Sequence, residues 1–114
     1  MEGNIVFDKD EILKMFDGET EFLTELVEIF ISDTPEQLSS IKEAVDNRNS
    51  KDLEKSAHKL KGAVANFGEK SAFETALTLE MMGKECRLNG VEEVYDTLVK
   101  EIERLVNALK EFVE

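Results

Sequence analysis

The chemically distinctive part of this chain surrounds its one histidine, His58. An imidazole is both a capable nucleophile and a capable leaving group, so it can accept a group and pass it on. Lys61, three residues later, supplies a positive charge that would offset the charge of an anionic group on the ring. Gly62 and Ala65 follow at four and seven residues and leave room for another protein to approach. Glycine inside a helix costs roughly 0.5–1 kcal/mol relative to alanine, so Gly62 is either accidental or serves to give an approaching protein clearance.

The helix that must position these residues is predicted over 51–67, where apolar residues recur at spacings of three and four. At about 100° per residue, one face collects the apolar residues Leu53, Ala57, Leu60, Val64 and Phe67. His58 falls about 140° from Leu53, on the solvent side, and Gly68 ends the helix. A lone histidine on a helix surface is usually an ordinary polar residue. On geometry alone, that interpretation is favoured over a reactive histidine.

The remainder of the chain also has a helical hydrophobic period, and no segment alternates as a strand would. Helices are predicted over 8–16, 19–32, 35–46, 51–67, 71–87 and 91–113. Short turns between helices make neighbours antiparallel. The predicted fold class is therefore all-α: an antiparallel four-helix bundle built from the four C-terminal helices, with one or two short N-terminal helices covering an end.

Side chains that cap helices set these boundaries. The predicted N-terminal caps are Asp8 (with Glu11), Thr34 before Pro35, Ser50, and Ser71 (with Glu74). A broad apolar face over 22–31 predicts that the second helix is well buried. Cys86 is predicted to lie on the inner face of the fifth helix as a small apolar residue.

Composition restricts the classes of function. The 114 residues fit one domain over 1–114, and the formal net charge of −12 argues against binding to nucleic acid or to anionic membranes. One cysteine allows no internal disulfide and favours a reducing, cytoplasmic location. The first ten residues lack the features of a signal peptide. There is no Walker A motif and no kinase-type glycine loop, so no ATP-binding or kinase activity of its own is expected. A monomer is the default expectation.

The segment Ala57-His58-Lys59-Leu60-Lys61-Gly62, followed by Asn66-Phe67-Gly68, resembles the histidine-containing phosphotransfer (HPt) domain family. That family combines a histidine, a Leu-Lys-Gly sequence beginning two residues later, and a hydrophobic-Gly pair that closes the helix. The Asp17-Gly18 break, the apolar helix over 22–30 and Leu79-Glu80 also fall where the family has similar features.

The resemblance implies a four-helix bundle that serves as an intermediate in a multistep phosphorelay. His58 would take a phosphoryl group from the aspartate of a response-regulator receiver domain and pass it to another receiver. Lys61 would stabilise phosphate charge, Gly62 would give the receiver clearance, and Gly68 would be structural. Lys59 and Ala65 would contact the partner. The chain would bind no cofactor or metal, and Mg²⁺ would belong to the receiver, which could itself be part of a hybrid sensor histidine kinase.

Other interpretations stay open at this point. The chain could be the phospho-accepting domain of a chemotaxis-type histidine kinase, in which a kinase domain rather than a receiver phosphorylates the histidine. It could also be a non-catalytic module that docks receivers. A carboxylate-bridged metal protein is disfavoured, because a di-metal bundle needs Glu-x-x-His on two helices and Lys55 stands three residues before the one histidine.

Overall fold

Four helices form a bundle in the computed structural model, which describes residues 20–113. They are α1 (Thr20–Asp46), α2 (Ser50–Ala65), α3 (Lys70–Glu85) and α4 (Val91–Val113), and this range contains no strand. Each helix packs against the next along the chain, and α1 also packs against α4. The predicted all-α four-helix bundle is therefore confirmed. The helix predicted over 8–16 lies outside the described residues.

The first bundle helix is longer than the sequence analysis predicted. Thr34 and Pro35 were expected to separate two helices, but α1 runs through them without a break. The buried residues keep one helical register across the proline: Leu23, Val27, Phe30, Thr34, Ile41, Ala44 and Val45. A single helix thus packs the buried residues on both sides of Pro35 against the core. The stability gained by burying them outweighs the roughly 3 kcal/mol that an interior proline costs. Thr34 is buried, and its hydroxyl donates a hydrogen bond to the carbonyl of Phe30 instead of capping a new helix.

The buried side of α1 is also narrower than predicted. The exposed fraction is 49% for Phe22 and 56% for Ile29. The two residues lie seven positions apart, so they share a face of the helix that does not point into the core. The expectation that the whole apolar face over 22–31 is buried was wrong for these two side chains.

The N-caps of the next two helices are not the residues that the sequence analysis predicted. Asn49, not Ser50, is the N-cap of α2, and its side chain accepts a hydrogen bond from the backbone N–H of Asp52. Glu69, not Ser71, is the N-cap of α3, and its buried Oε1 accepts from the N–H of Ala72 at 2.7 Å. In each case the side-chain oxygen accepts from the backbone N–H three residues later, a donor that has no partner within the helix.

The predicted helix over 71–87 ends earlier, at Glu85, and this changes the position of Cys86. The cysteine adopts a left-handed conformation with φ of 56° at the C-cap. Leaving the helical path turns its side chain away from the inner face, so it is exposed. The prediction that Cys86 packs as a small apolar residue was therefore wrong.

The last helix has the bounds that its pattern predicted. Val91, Leu98, Ile102, Leu105 and Leu109 of α4 are all buried, and the residues between them are predominantly charged or polar. A helix of this kind is apolar on one side only. None of the helices over 20–113 has the combination of length and uniform apolarity that crossing a membrane requires.

α2 and α3 approach each other closely at a glycine, Gly83. A Cβ atom added to Gly83 would lie 2.6 Å from both the backbone nitrogen of Glu54 and the carbonyl oxygen of Ser50. Ordinary contacts of a Cβ are 3.4–4 Å. The backbone of α3 therefore rests directly on the first turn of α2, which fixes how the two helices are aligned along their length.

Candidate functional site

His58 projects from the middle of α2 into solvent. The opposite face of the helix is fixed by the core, because the predicted residues Leu53, Ala57, Leu60 and Val64 are all buried. The exposed fraction of the His58 side chain is 67%. The core thus holds the helix firmly while leaving the imidazole accessible to another molecule.

One ring nitrogen of His58 is held by a carboxylate from the neighbouring helix. Nδ1 lies 2.9 Å from Oε2 of Glu80 on α3. The other carboxylate oxygen of Glu80, Oε1, lies 2.7 Å from Nζ of Lys61. One carboxylate therefore joins the histidine and the lysine that the sequence analysis selected.

Glu80 is ionised at neutral pH. Its side chain is only 16% exposed, and burial alone would raise the pKa of its carboxyl group. Hydrogen bonds from Lys61 and His58, with the charges of the same two groups, outweigh burial and lower that pKa below its ordinary value. An ionised carboxylate accepts hydrogen bonds and cannot donate them. In the neutral ring, Nδ1 must therefore carry the proton, which leaves the lone pair on Nε2 free to act as a nucleophile.

Lys61 is held more firmly than an ordinary surface lysine. Its side chain is 19% exposed, and Nζ lies 5.9 Å from the centre of the Phe73 ring, within the range of a cation–π contact. The ammonium group is thus engaged by both Glu80 and Phe73. It lies on the α3 side of His58, next to the carboxylate.

The surface beyond the histidine is open. Gly62 is exposed, and a Cβ added there would meet no atom within 4 Å. Ala65 is exposed and, with Gly68 and Phe73, lines a shallow hollow at the end of α2. Gly68 has φ of 68° between α2 and α3, a left-handed conformation that glycine adopts without strain.

Lys59 does not share this surface. It is exposed, but it lies along the groove between α1 and α2, opposite Asp33 and Glu36. The structure therefore brings His58, Lys61, Gly62 and Ala65 to one side of α2 and places Lys59 on another.

Glu80 is the site residue that the sequence analysis did not select. It was noted only as part of the Leu79-Glu80 pair. One feature of the sequence could have indicated Glu80: it follows Leu79, which is buried on the core face of α3, so Glu80 lies at the edge of that face. The sequence cannot show which residue of α2 this edge meets, because that depends on how α2 and α3 are aligned. Among residues 20–113, no three His, Cys, Asp or Glu side chains are grouped to hold a metal ion.

The fold and the site together define a class of protein: a four-helix bundle that presents a carboxylate-held histidine at its surface. The family model for the Hpt domain matches residues 25–111. The chain therefore belongs to the Hpt domain family.

Two relatives extend this comparison. The chain is 27% identical over 106 residues to the phosphorelay intermediate protein rdeA of Dictyostelium discoideum, a match that covers 93% of the chain and 42% of that protein. The chain thus corresponds to less than half the length of this relative. The crystal structure of histidine-containing phosphotransfer protein B from Pseudomonas aeruginosa superposes with a TM-score of 0.86 at 19% identity. The match covers 94% of the chain and 93% of that structure, and it shows the same fold.

Proposed function

We propose that this chain relays a phosphoryl group between receiver-domain aspartates in a two-component phosphorelay, with His58 as the carrier. The observation that carries the proposal is the state of the imidazole. Nδ1 is held by Glu80 at 2.9 Å, while the ring is 67% exposed, so Nε2 is the nitrogen available to a partner. Membership of the Hpt domain family and the likeness to a protein named as a phosphorelay intermediate support it.

The transfer step follows from this geometry. The lone pair of Nε2 attacks the phosphorus of an aspartyl phosphate in line with the bond that breaks. An Nε2–P bond forms, and the aspartate carboxylate leaves with the electron pair of the P–O bond. The proton on Nδ1 stays in place throughout, so no base has to remove it. In the second transfer the imidazole is the leaving group and returns to the same neutral form.

Glu80 is positioned to assist this step. When phosphorus bonds to Nε2 and Nδ1 keeps its proton, the ring acquires positive charge. The carboxylate beside Nδ1 stabilises that charge, as an acidic group does for a histidine nucleophile or base elsewhere. Lys61 keeps the carboxylate ionised and oriented through its 2.7 Å contact. We therefore assign Glu80 and Lys61 as positioning residues, with Lys61 offsetting phosphate charge at longer range.

The partner is a response-regulator receiver domain, free-standing or within a hybrid sensor histidine kinase. The receiver would approach over Gly62 and Ala65, where no side chain blocks the ring. Lys59, which lies along the groove between α1 and α2, would contact only the edge of the receiver. Gly68 would serve the turn that ends α2. The Mg²⁺ that neutralises the phosphoryl group would be bound by the receiver. We further propose that the chain acts as a cytoplasmic monomer.

Labelling of His58 tests the proposal. The purified chain is incubated with a receiver domain, Mg²⁺ and acetyl phosphate, and then assayed for phosphate that is acid-labile and base-stable. The proposal predicts label on the wild type and none on His58→Gln, which keeps a polar side chain at the same place. Glu80→Gln should keep the label but acquire it more slowly.

Two other results would redirect the assignment. Strong labelling by a chemotaxis-type kinase with ATP, and none from a panel of receivers, would identify a phospho-accepting kinase domain. Binding to receivers with no label from either source would identify a docking module.

A further inference from the structure

A cleft lies beside His58 on the N-terminal side of its ring. Its volume is about 410 Å³, and it is lined by Lys51, Glu54, Lys55, His58 and Glu80. Side chains on a helix lean towards its N-terminus, so the imidazole lies over the turn that holds Lys55 rather than over Gly62. A group on the exposed end of the ring is therefore next to this cleft.

The two lysines three residues from His58 are in different situations. Lys61, at the following turn, is 19% exposed and paired with Glu80. Lys55, at the preceding turn, is exposed, and neither it nor Lys51 has an ion-pair partner among residues 20–113. The lysine that precedes the histidine is thus free to bind an incoming anion, whereas the lysine that follows it is engaged.

The positions of the two lysines reinforce this difference. At about 100° per residue, Lys55 and Lys61 lie about 60° to either side of His58. Glu80 holds Nδ1 from the Lys61 side, and a phosphoryl group would be attached to the other ring nitrogen. The carboxylate of Glu80 thus lies between the ammonium group of Lys61 and the ring, while no carboxylate bridges Lys55 to the ring.

We propose that Lys55, with Lys51 one turn behind it, binds the phosphoryl oxygens on His58, and that Lys61 acts through Glu80. The proposal rests on the proposed function, since it describes the phosphorylated form of the same histidine. Charge in the cleft agrees with it. The Lys61–Glu80 pair is neutral, and the two free lysines exceed the single charge of Glu54, so the lining of the cleft presents a net positive charge to the doubly charged phosphoryl group. On its other side, Lys55 also lines the groove between α1 and α2, together with Lys59, Asp33 and Glu36.

The test measures the phosphoryl group directly. Phosphoramidate, a small donor that phosphorylates imidazole without a receiver, is used to load His58. ³¹P NMR then gives the pKa of the phosphoryl group in wild type, Lys55→Gln, Lys61→Gln and Lys100→Gln. Lys100 is an exposed lysine of α4, a helix that contributes no residue to the cleft, and it controls for the loss of one positive charge elsewhere on the protein. Imidazole ¹⁵N shifts report which ring nitrogen carries the proton.

A cation in contact with the phosphoryl oxygens favours their ionised form and lowers that pKa. Lys55→Gln should therefore raise the pKa of the phosphoryl group and slow transfer from a receiver roughly tenfold, the size expected for one charge-assisted hydrogen bond. Lys100→Gln should match the wild type. Lys61→Gln should change the ¹⁵N shifts while leaving the pKa of the phosphoryl group close to that of the wild type.

The opposite pattern would overturn the proposal. If Lys61→Gln raises the pKa of the phosphoryl group and Lys55→Gln does not, Lys61 is the direct contact. Failure of the proposed function gives a different result, because phosphoramidate would still load His58 while no receiver did. If even phosphoramidate fails to load the wild type, both proposals are wrong.

Discussion

Two glycines in the bundle should respond in opposite ways to the same substitution. Alanine favours a helix over glycine by about 1 kcal/mol. At Gly62 an added Cβ meets nothing within 4 Å, so Gly62→Ala should stabilise the fold by roughly 0.5–1 kcal/mol. At Gly83 the same Cβ lies 2.6 Å from two backbone atoms of α2. Backbone cannot rotate away as a flexible side chain can, so the two helices must separate.

The magnitude at Gly83 follows from these distances. Restoring an ordinary contact of 3.4 Å requires a movement of nearly 1 Å across a tightly packed interface. Overpacking of this kind typically costs about 1–3 kcal/mol, and backbone contact places Gly83→Ala at or above the upper end of that range. After the gain in helix propensity is subtracted, a net loss of about 2 kcal/mol or more remains. The melting temperature should fall by several degrees per kcal/mol, roughly 4–8 °C for a domain near this size.

Urea unfolding and thermal melts, followed by circular dichroism, measure both variants, and labelling from a receiver measures function. Gly62→Ala should be more stable than the wild type yet slower in transfer, because its methyl group faces the partner. Gly83→Ala should be less stable and also slower, because separating α2 from α3 lengthens the contact between His58 and Glu80. A Gly83→Ala protein as stable as the wild type would refute the packing argument. A Gly62→Ala protein with unchanged transfer would refute the role of Gly62 as clearance.

Three further predictions concern single side chains. Despite burial, hydrogen bonds lower the pKa of Glu80 below its ordinary value of 4.5. A carboxyl group with a lowered pKa stabilises the fold above its unfolded-state pKa, and this stabilisation is lost as the pH falls. Glu80→Gln should therefore be less stable than the wild type at pH 7, and urea titrations should show this difference in the free energy of unfolding shrinking below about pH 4.5. Burial raises the pKa of Glu101, so the stability that its protonated side chain contributes is lost as the pH rises through the folded-state pKa. Glu101→Gln should therefore be more stable than the wild type at pH 7 and should lose that advantage by pH 4. An advantage that does not change with pH would contradict this. Asn49→Ala should cost about 1 kcal/mol in thermal melts through loss of the N-cap of α2, whereas Ser50→Ala should cost much less, and equal losses would contradict the cap assignment.

Periodicity in the sequence predicted the fold well where burial is one-sided. The core face of α2 and the bounds of α4 were both predicted, because a stripe of apolar residues on one side determines how a helix must face the core. The same reasoning placed His58 on the solvent side. These features depend on one helix at a time.

Features that depend on competition between signals were less predictable. Pro35 was given more weight than the apolar stripe that continues through it, although burial of that stripe along a single helix outweighs the cost of the proline. Ser50 and Ser71 are good capping residues, but Asn49 and Glu69, one and two residues earlier, cap the helices by accepting from the N–H groups of Asp52 and Ala72. The contact of Glu80 with His58 required the alignment of two helices, which a single sequence does not display.

The site also has an uneven distribution over the bundle. His58, Lys61 and Gly62 lie on α2, Glu80 lies on α3, and the cleft with Lys55 is formed by the same two helices. In the described structure, α1 and α4 supply none of these groups and serve as a support for the α2–α3 hairpin. Rearranging the order of the chain tests this division of labour. A circular permutant with new ends between α3 and α4 would keep the hairpin covalently intact and should keep its phosphate chemistry, whereas one opened between α2 and α3 would leave His58 and Glu80 to be aligned by packing alone.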